Sequence, residues 1–422
     1  MPEGDPAERL LRLIDEALTP DRPARLGVAV SGGGDSMALL HLLHRWAAER
    51  AVALFVVTVD HGLRPASAAE AAMVGEVCEA LGLPHQTLKW GGWDGIGNLQ
   101  DRARRARYGL MADWALALGL GGVALAHTAD DQAETFVMRL GRGAGIDGLS
   151  AMGARRRAYG IDWLRPLLQA GRGELRAFLT LRRLGWVEDP SNADPRFERV
   201  RVREVLAALE PLGIGAEALA ATASRLAEAR EALDATTVSV ARRIARVEAG
   251  EVVLDPAGLL AEPTEIRRRL LSHALSWVAS ADYRPRRDTM AEALQAVAEG
   301  RDMTLHGCRL LHRTEGLRVG REAQALQGVA SRVDALWDRR WRMVPPQGAD
   351  LGGLRIEAIG EKGISLCPDW RGTGLRRTTL STMPAVWRGD DLVAAPHAGR
   401  GCGWQAELAR GEDDYVSSIL SH

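Results

Sequence analysis

A glycine-rich loop between a short apolar run and an apolar helical stretch narrows the choice of folds more than any other feature of this chain. The run is residues 26–30, the loop is residues 31–36 with the sequence Ser-Gly-Gly-Gly-Asp-Ser, and the helical stretch begins at Met37. Glycines let the backbone approach an anion closely, and a helix N-terminus adds N–H groups and partial positive charge. The order predicts a phosphate-binding loop after a buried strand. It leaves open a plain glycine turn in which Asp35 or Ser36 caps the helix.

Further strand-like runs alternate with helical stretches across the first half of the chain. The runs are residues 53–59, 86–90 and 123–126, separated by helical stretches such as residues 37–48 and 68–81. This alternation predicts a parallel sheet covered by helices, and runs rich in Val, Leu and Ala are typical of its buried strands. We therefore predict an α/β fold with a doubly wound, mostly parallel, Rossmann-like sheet. Because ligands bind beyond the carboxyl ends of such strands, we expect functional residues to follow each strand.

Length and composition predict two or three globular domains. The 422 residues are 46% hydrophobic, enough to form cores, and no apolar run approaches the roughly 18 residues of a membrane span. The acidic N-terminus lacks the features of a secretory signal, so we expect a cytoplasmic protein without a membrane partner. The cysteines lie too far apart for a disulfide framework or a metal cradle: Cys78, Cys308, Cys367 and Cys402.

Changes in composition and hydrophobic periodicity along the chain predict three domains. We place an α/β catalytic domain at residues 1–215, a helical linker and binding domain at 216–328 and a small β-rich domain at 329–422. Helices are predicted at residues 205–209, 216–247, 265–279 and 286–298, and strands at 302–313, 317–320, 341–344, 354–359 and 392–395. From Glu412 onward the chain is predicted to be a frayed acidic tail.

The basic residues are unevenly spread and almost all are arginine. The net charge is −1, and all of the 54 basic residues except Lys89 and Lys362 are arginine, whose guanidinium suits phosphates and stacked bases. Residues 139–183 hold ten arginines against three acidic residues. Such a stretch on a neutral protein is typical of a polyanion-binding surface. It is equally compatible with a solvated surface whose charge is balanced by neighbours in the fold.

Polar residues follow the second strand-like run. Asp60, His61 and Arg64 bring a carboxylate, an imidazole and a guanidinium to one strand end. For a lone His or Asp, turn formation is the commoner role. Three such groups beside a phosphate loop favour a nucleotide contact.

The segment after the fourth run is acidic. If a helix starts near Asp130, then Asp130, Asp131 and Glu134 lie close together on its surface. Carboxylates beside a triphosphate suit Mg²⁺, which takes oxygen ligands and bridges phosphates. Asp and Glu also favour the first turn of any helix. His127, just upstream, would by itself more often be structural than catalytic.

Two basic segments supply further cations. Residues 98–108 predict a basic helix with Arg104 and Arg107, and residues 188–203 predict a turn leading into a helix with Arg199. Each by itself is an ordinary exposed helix. Together with residues 139–183 they outline a basic face too extensive for ATP alone.

Several strings, taken in order, resemble the tRNA(Ile)-lysidine synthases, members of the PP-loop superfamily of N-type ATP pyrophosphatases. The strings lie at residues 31–36, 59–64, 98–108, 126–135 and 188–192, the last two reading Ala-His-Thr-Ala-Asp-Asp-Gln-Ala-Glu-Thr and Glu-Asp-Pro-Ser-Asn. The strong match covers residues 26–203, and the stretch to Gly320 resembles the family's tRNA-binding region more loosely. Val200 stands where the family pattern has Asn, which removes a polar contact at this position.

The resemblance implies a ligase that joins L-lysine to C2 of the wobble cytidine, C34, of a tRNA(Ile) with a CAU anticodon. The cytosine O2 attacks the α-phosphate of ATP and releases pyrophosphate, and the ε-amino group of lysine then attacks C2 and releases AMP. The product, lysidine, pairs with A instead of G. Displacement at phosphorus needs positioning and charge neutralisation more than covalent help, which agrees with the predicted loops. Many relatives are dimers, which leaves a homodimer open.

The resemblance also implies roles within the site. ATP contacts are expected from Ser31, Gly32, Gly33, Gly34, Asp35, Ser36, Asp60, His61, Arg104 and Arg107. Mg²⁺ is expected on Asp35 and Asp131, with Asp130 and Glu134 as candidates for the metal or for the lysine ammonium. His127 would position ATP or the target base, and Arg199 would stabilise phosphate charge or hold the tRNA backbone.

Three other functions fit the sequence less well. A tRNA thiolase also adenylates a base, but such enzymes generally need paired cysteines, and the cysteines here are scattered. A small-metabolite synthetase would not explain the basic stretch or the appended domains. A nucleotide-gated RNA-binding module without turnover would have lost the acids of the site, which are all present.

We also predict that the two C-terminal domains hold the acceptor stem of the tRNA, because they lie far in sequence from the ATP site.

Overall fold

The chain divides into two compact units, Met1–Arg230 and Glu231–His422. The computed structural model describes residues 6–19, 21–62, 67–92, 99–188, 196, 198–281, 283–409 and 411–420. Of the positions selected from the sequence, 63–65, 98 and 189–192 lie outside the described residues. The three-domain division stays a prediction. The boundary between the two units falls inside a long helix, so each unit is described by itself.

Within the described residues, the first unit contains a six-stranded sheet and the helices around it. Its strands are β1 (Arg25–Ala29), β2 (Ala53–Asp60), β3 (His85–Lys89), β4 (Val123–Ala124), β5 (Arg155–Ala158) and β6 (Ile161–Leu164). Its helices are α1 (Pro6–Leu18), α2 (Gly34–Arg50), α3 (Ser67–Ala80), α4 (Leu99–Ala117), α5 (Ala129–Leu140), α6 (Ile146–Leu149), α7 (Arg172–Leu181) and α8 (Glu198–Leu209), and α9 (Ala216–Ile244) contains the unit boundary. In the described part of the chain no single helix is long and apolar enough to cross a membrane, and one bent pair, Glu198–Leu212 with Ala216–Ile244, passes by length and composition only.

The strand order β3-β2-β1-β4-β6-β5 makes the sheet doubly wound. All neighbouring strands from β3 to β6 pair in parallel, and only the edge strand β5 is antiparallel to its neighbour β6 within this sheet. The connections reverse direction between β1 and β4, and such a switch point opens a crevice at the carboxyl ends of the strands. The predicted α/β fold class is confirmed. The phosphate loop after β1 and the acidic segment after β4 therefore meet at one edge.

Apolar side chains cover both faces of the sheet. On one face α1, α2, α3 and α7 pack against β1 and β2, with Leu10, Leu39 and Leu175 fully buried. On the other face α4 packs against strands including β2 and β6. A Cβ at Gly27 would lie 2.9 Å from the Trp114 ring, so only glycine fits where β1 passes beneath α4. This close packing removes apolar surface from water and fixes the strand ends that carry the loops.

The second unit combines helices with antiparallel sheets. Its helices are α10 (Pro256–Ala261), α11 (Thr264–Ala279), α12 (Arg287–Ala298), α13 (Gly360–Ser365), α14 (Arg377–Leu380) and α15 (Glu412–Ser417). Strands β7 (Ala245–Glu248), β8 (Glu251–Leu254), β9 (Met303–Leu305), β10 (Cys308–Arg313) and β11 (Gly316–Arg321) form one sheet in the order β7-β8-β11-β10-β9. Further along are β12 (Trp341–Val344), β13 (Leu354–Ala358), β14 (Pro384–Arg388), β15 (Asp391–Ala394) and β16 (Gln405–Leu408), of which β13, β14 and β15 form a sheet and β12 pairs with β16. One apolar core surrounds α11, and another surrounds Trp337 and Ile356.

The structure corrects the predicted extent of the long helix. The helix predicted to reach residue 247 ends at Ile244, and the chain continues as β7. Ala249 and Gly250 both have positive φ, +47° and +71°, which is the backbone of a tight turn between two paired strands. The Ala-Arg-Val-Glu sequence before this turn pairs with β8 rather than extending the helix.

The prediction of a frayed acidic tail is wrong. Residues 412–417 form α15, and Asp414 accepts a hydrogen bond from the Gly411 N–H at 3.0 Å, which favours a helix start. Tyr415 is fully buried in the core around α11, and its carbonyl oxygen lies 2.8 Å from Nε2 of His273. The prediction rested on the acidic residues alone. It did not take account of the apolar Tyr415 and Ile419, whose burial anchors the segment.

Candidate active site

The phosphate loop is closed by hydrogen bonds of its own serines. Ser36 Oγ donates to the Gly33 carbonyl at 2.8 Å and accepts the Ser31 N–H at 3.1 Å. Gly32 has φ +86°, a conformation that only glycine adopts easily. Gly33 is the N-cap of α2 and provides no side-chain cap, so Asp35 and Ser36 lie inside the first turn. The alternative in which either residue caps the helix is therefore not what the structure contains, and the first-turn N–H groups, which a helix start leaves without partners inside the helix, belong to the loop itself.

A cavity of about 950 Å³ opens at this loop. Its wall includes these predicted site residues: Ser31, Gly33, Gly34, Asp35, Ser36, His61, Arg104, Arg107, His127, Asp131 and Arg199. The remaining predicted residues, Gly32, Asp60, Asp130 and Glu134, lie beside it without lining it. Apolar side chains such as Val57, Met111 and Leu125 form another part of the wall. A polar loop beside an apolar wall can hold a ligand with a charged end and a flat, less polar end.

Asp60 shapes the turn after β2. It accepts hydrogen bonds from the Gly62 N–H at 2.9 Å and from Ser67 Oγ at 2.6 Å. The Ser67 hydroxyl, followed by the Gly62 N–H, lowers the pKa of the Asp60 carboxyl, so the carboxylate is stable at neutral pH. Asp60 thus holds the turn to α3, while the adjacent His61 lines the cavity.

The acidic segment begins α5 with a reciprocal cap. Thr128 is the N-cap, and Asp131 Oδ2 accepts hydrogen bonds from the Thr128 N–H at 2.9 Å and from Thr128 Oγ1 at 3.1 Å. Such a box satisfies N–H groups that a helix start leaves free. It also turns the second oxygen of Asp131, Oδ1, toward Arg172. Asp131 therefore has both of the roles considered from the sequence: it caps the first turn of α5, and it also contributes a carboxylate oxygen to the site.

Arg172, the first residue of α7, joins the acids of the site. Its Nε lies 3.2 Å from Asp35 Oδ2, and its Nη2 and Nη1 lie 3.5 Å from Asp131 Oδ1 and 3.6 Å from Glu134 Oε1. Its backbone N–H donates to Asp130 Oδ2 at 2.7 Å. Four of the five predicted acids, all except Asp60, are thus gathered around one arginine.

In the sequence Arg172 stands out only as one of ten arginines in a basic run. A signal was present, because residues 161–164 form an apolar strand-like run and Arg172 follows it at the carboxyl edge of the sheet. Trp186 was missed as well. It lines the cavity beside Gly34, where an added Cβ would lie 3.4 Å from the indole Cδ1.

Burial and nearby arginines set the environment of Asp35 and Glu134. Burial raises the pKa of Asp35, and the nearby Arg172 guanidinium opposes this rise. Glu134 is fully buried, and its Oε1 accepts a hydrogen bond from Arg203 Nε at 2.6 Å. Its other oxygen, Oε2, lies 3.9 Å from Arg199 Nε. A buried carboxylate needs such cations, because an isolated charge is costly to remove from water.

His127 presents a neutral ring to the cavity. Burial lowers its pKa to about 3, so the imidazole carries no charge at neutral pH. Its Nδ1 is buried and has no hydrogen-bond partner within the described part of the chain. A neutral imidazole that lines the cavity can accept or donate one hydrogen bond to a bound ligand.

Asp35 and Asp131 fit a magnesium ion that is held together with phosphates. Among the described residues no group of three His, Cys, Asp or Glu side chains could hold a metal by itself. Mg²⁺ at phosphate sites usually takes one or two carboxylates and completes its shell with phosphate oxygens and water. A pair of carboxylates around one cation, Arg172, at the edge of the phosphate loop meets this requirement.

Many arginines of the stretch 139–183 form hydrogen bonds or ion pairs within the fold. Arg139 donates to the carbonyls of Gly148 and Ala151, and the buried Arg165 donates to that of Gly153. Ion pairs join Arg142 to Glu198, Arg155 to Asp162, and Arg176 to Glu188. The interpretation of a balanced surface therefore holds for these arginines. Arg156 and Arg183 are exposed, and a polyanion-binding role for them stays a prediction. Arg104, from α4, stacks 5.3 Å from the centre of the Tyr108 ring beside the cavity.

The doubly wound sheet and the glycine-rich loop after β1 are those of a PP-loop protein. The family model described as the PP-loop domain matches residues 6–209. Among solved structures, a U34-tRNA thiolase from Methanococcus maripaludis is 17% identical, covers 53% of this chain and 80% of its own, and has a TM-score of 0.46.

Relatives match this chain far beyond the PP-loop domain. A tRNA(Ile)-lysidine synthase from Ruegeria pomeroyi is 51% identical over 416 residues, which is 99% of each chain. Another, from Wolbachia pipientis, is 35% identical and covers 75% of this chain and 76% of its own. The chain belongs to the tRNA(Ile)-lysidine synthase family. The resemblance stated from the sequence strings is confirmed.

Proposed function

We propose that this protein uses ATP to join L-lysine to C2 of the wobble cytidine, C34, of a tRNA(Ile) with a CAU anticodon. The observation that carries the proposal is the 51% identity, over 99% of both chains, to a tRNA(Ile)-lysidine synthase. The cavity supports it, since a phosphate loop, clustered acids and arginines line one space.

In the first step, O2 of the cytosine attacks the α-phosphorus of ATP, and the bond to the β-phosphate oxygen breaks to release pyrophosphate. The loop of residues 31–36 would hold the β- and γ-phosphates, because its N–H groups and the start of α2 favour negative charge. Asp35 and Asp131 would hold Mg²⁺, which neutralises charge on the phosphates when bound. Arg104 and Arg107, which also line the cavity, would contact ATP or the RNA backbone.

In the second step, the ε-amino group of lysine attacks C2, the C2–O bond breaks, and AMP leaves with that oxygen. The amine must lose a proton in this step. Asp130 and Glu134 are the candidates for the lysine ammonium; Asp130 accepts the Arg172 N–H, and Glu134 lies beside the cavity and pairs with Arg203. His127, which lines the cavity, would hold ATP or the target base.

The test is incorporation of radiolabelled lysine into an unmodified CAU-anticodon tRNA(Ile) transcript. Uptake should require both ATP and Mg²⁺ and should vanish for a transcript with U at position 34. Asp131→Asn should lower the rate by about 100-fold or more, since it removes a charged group beside the phosphates. Asp113→Asn, which changes an exposed acid on α4, is the matched control and should leave the rate unchanged.

Two outcomes would count against parts of the proposal. Normal pyrophosphate release by Asp35→Asn and Asp131→Asn would remove the metal assignment. Pyrophosphate release without lysine uptake would leave ATP cleavage intact and point to another acceptor. A homodimer and a cytoplasmic location belong to the same proposal, and sedimentation analysis of the purified chain tests the former.

A further inference from the structure

Arg172 contacts several acids without forming a close pair with any of them. Its three guanidinium nitrogens lie 3.2, 3.5 and 3.6 Å from oxygens of Asp35, Asp131 and Glu134. Charge-assisted N–H to carboxylate bonds are usually about 2.7–2.9 Å long. Arg203 forms such a bond with Glu134, at 2.6 Å. Arg172 therefore donates one hydrogen bond, at 3.2 Å, to Asp35, and is otherwise held by the summed charge of the cluster.

The backbone of Arg172 is fixed while its side chain faces the cavity. The N–H is bonded to Asp130 at 2.7 Å, and α7 packs on α2, the helix that begins at the phosphate loop. The side chain is about one-fifth exposed and lines the cavity together with Asp35 and Asp131. The guanidinium can consequently change partners without any movement of the helix that carries it.

The same two carboxylates are the proposed ligands of Mg²⁺. A guanidinium and a divalent cation repel each other at these distances, so they compete for Asp35 and Asp131. Phosphates bound at residues 31–36 would offer the guanidinium new oxygen acceptors next to Asp35, and guanidinium suits phosphate geometry. Resting on the proposed ATP binding, we propose that Arg172 is an exchangeable counter-ion. It neutralises Asp35 and Asp131 before ATP binds and moves to the phosphates as Mg²⁺ takes its place.

This exchange makes divalent-cation binding depend on the nucleotide. With Arg172 in place, the cation alone meets a cluster that is already partly neutralised, and it binds weakly. With ATP present, the phosphates both attract the guanidinium and supply ligands to the cation. Free metal ions are thereby kept from occupying the site without ATP.

The test measures binding of Mn²⁺, as a probe for Mg²⁺, to the full chain without ATP, tRNA or lysine, using the electron paramagnetic resonance signal of free Mn²⁺. Arg172→Met should bind Mn²⁺ about tenfold or more tightly than wild type, because a competing positive charge is removed from the two carboxylates. Arg176→Met is the matched control, since Arg176 lies one turn later on α7, lines the same cavity and pairs with Glu188. It should change Mn²⁺ affinity by less than about twofold, because exposed pairs contribute little.

A double variant assigns the effect to the carboxylates. Adding Asp35→Asn to Arg172→Met should abolish the gain in Mn²⁺ affinity. Arg172→Met that binds Mn²⁺ no more tightly than Arg176→Met overturns the proposal. If Arg172→Met fails to fold, Arg172→Lys decides, because an ammonium cannot span three carboxylates and should give a smaller gain of the same sign. No gain with Arg172→Lys then overturns the proposal too.

ATP binding is measured separately by equilibrium dialysis. Failure of the wild-type protein to bind ATP would contradict the proposed function. The Mn²⁺ measurements without ATP would still show whether Arg172 competes with the cation for Asp35 and Asp131. In wild type, a non-hydrolysable ATP analogue should raise Mn²⁺ affinity more than it does in Arg172→Met. An equal rise in both proteins contradicts the exchange.

Discussion

The acidic side chains around the phosphate loop differ in what holds them. Asp130 accepts the first N–H of α7, Asp131 closes the cap of α5, and Glu134 is bonded to Arg203. Asp35 contacts Arg172, a residue 137 positions away in sequence. All four acids were selected from the sequence, because acids after a strand beside a glycine loop indicate cation chemistry. The partner of Asp131 in the cap, Thr128, is local. The environments of Asp35, Asp130 and Glu134 could not be predicted, since their partners come from distant elements.

Ser36 is predicted to matter for nucleotide affinity more than for folding. Ser36→Ala removes hydrogen bonds to the Gly33 carbonyl and the Ser31 N–H, and the loop loses its fixed shape. We expect ATP affinity to fall by about tenfold, the order of one lost hydrogen bond. Isothermal titration calorimetry measures it. Ser365→Ala is the control, because that hydroxyl also donates to a backbone carbonyl, at 2.6 Å, but lies in the second unit. Equal affinities for all three proteins would contradict the prediction.

His127 predicts a specific dependence of stability on pH. Its pKa is about 3 in the folded protein, against roughly 6.5 in an unfolded chain. Between these values the unfolded state binds more protons, so this residue lowers stability as pH falls from about 7 toward 4. In His127→Gln that contribution is absent, and the melting temperature should fall less on acidification. Thermal unfolding across this pH range measures it, and parallel curves for variant and wild type would exclude a neutral buried ring.

At the scale of elements, local sequence signals set most of the boundaries. The first three predicted strands each lie within one residue of those observed, because apolar runs bounded by Gly, Pro and charged residues are strong signals. β5 and β6 were missed, since Arg155, Arg156 and Arg157 gave their segment the character of an exposed surface. β5 is an edge strand, where arginines are tolerated and hinder pairing with other chains. Strand position in the sheet, which the sequence does not state, explains the error.

The cap of α5 is predicted to link an element boundary to activity. Thr128→Ala removes the hydroxyl bonded to Asp131 and should cost about 1 kcal/mol of stability. It should also slow ATP-dependent pyrophosphate release by about tenfold, because Asp131 loses part of its positioning. Asp255→Ala provides the comparison. Asp255 caps α10 through two backbone N–H groups, so its loss should cost similar stability with an unchanged rate. Slowing in both variants would attribute the effect to stability alone.

At the scale of the whole molecule, residues far apart in sequence complete each core. The last described residues belong to the core around α11, through Tyr415 and Ile419. Deletion of everything after Gly328 would remove them, so such a deletion would damage the preceding region as well. The prediction that these regions hold the acceptor stem is better tested with point changes of exposed arginines. The loss of tRNA affinity caused by each such change should become smaller at high salt, because contacts between arginines and phosphates weaken as salt rises.

Tyr415 is predicted to stabilise the second unit. Tyr415→Ala should cost about 3–5 kcal/mol, the usual loss for a buried aromatic residue. Tyr415→Phe should be neutral or stabilising, because the buried hydroxyl has no hydrogen-bond partner among the described residues. Calorimetry of the full chain measures both. A large loss with Phe would show that the hydroxyl is needed, and a small loss with Ala would show that α15 is not anchored by this ring.

Local sequence signals are enough to predict the class of the first unit, the loop of residues 31–36 and the acids that surround it. These follow from local order: an apolar strand, glycines, a helix start and acids after a neighbouring strand. Tertiary packing, by contrast, places Arg172 among the acids, makes α15 part of a core, and pairs several arginines of residues 139–183 within the fold. The physical reason is that side-chain partners, burial and charge balance depend on which elements pack together. That packing joins residues more than a hundred positions apart.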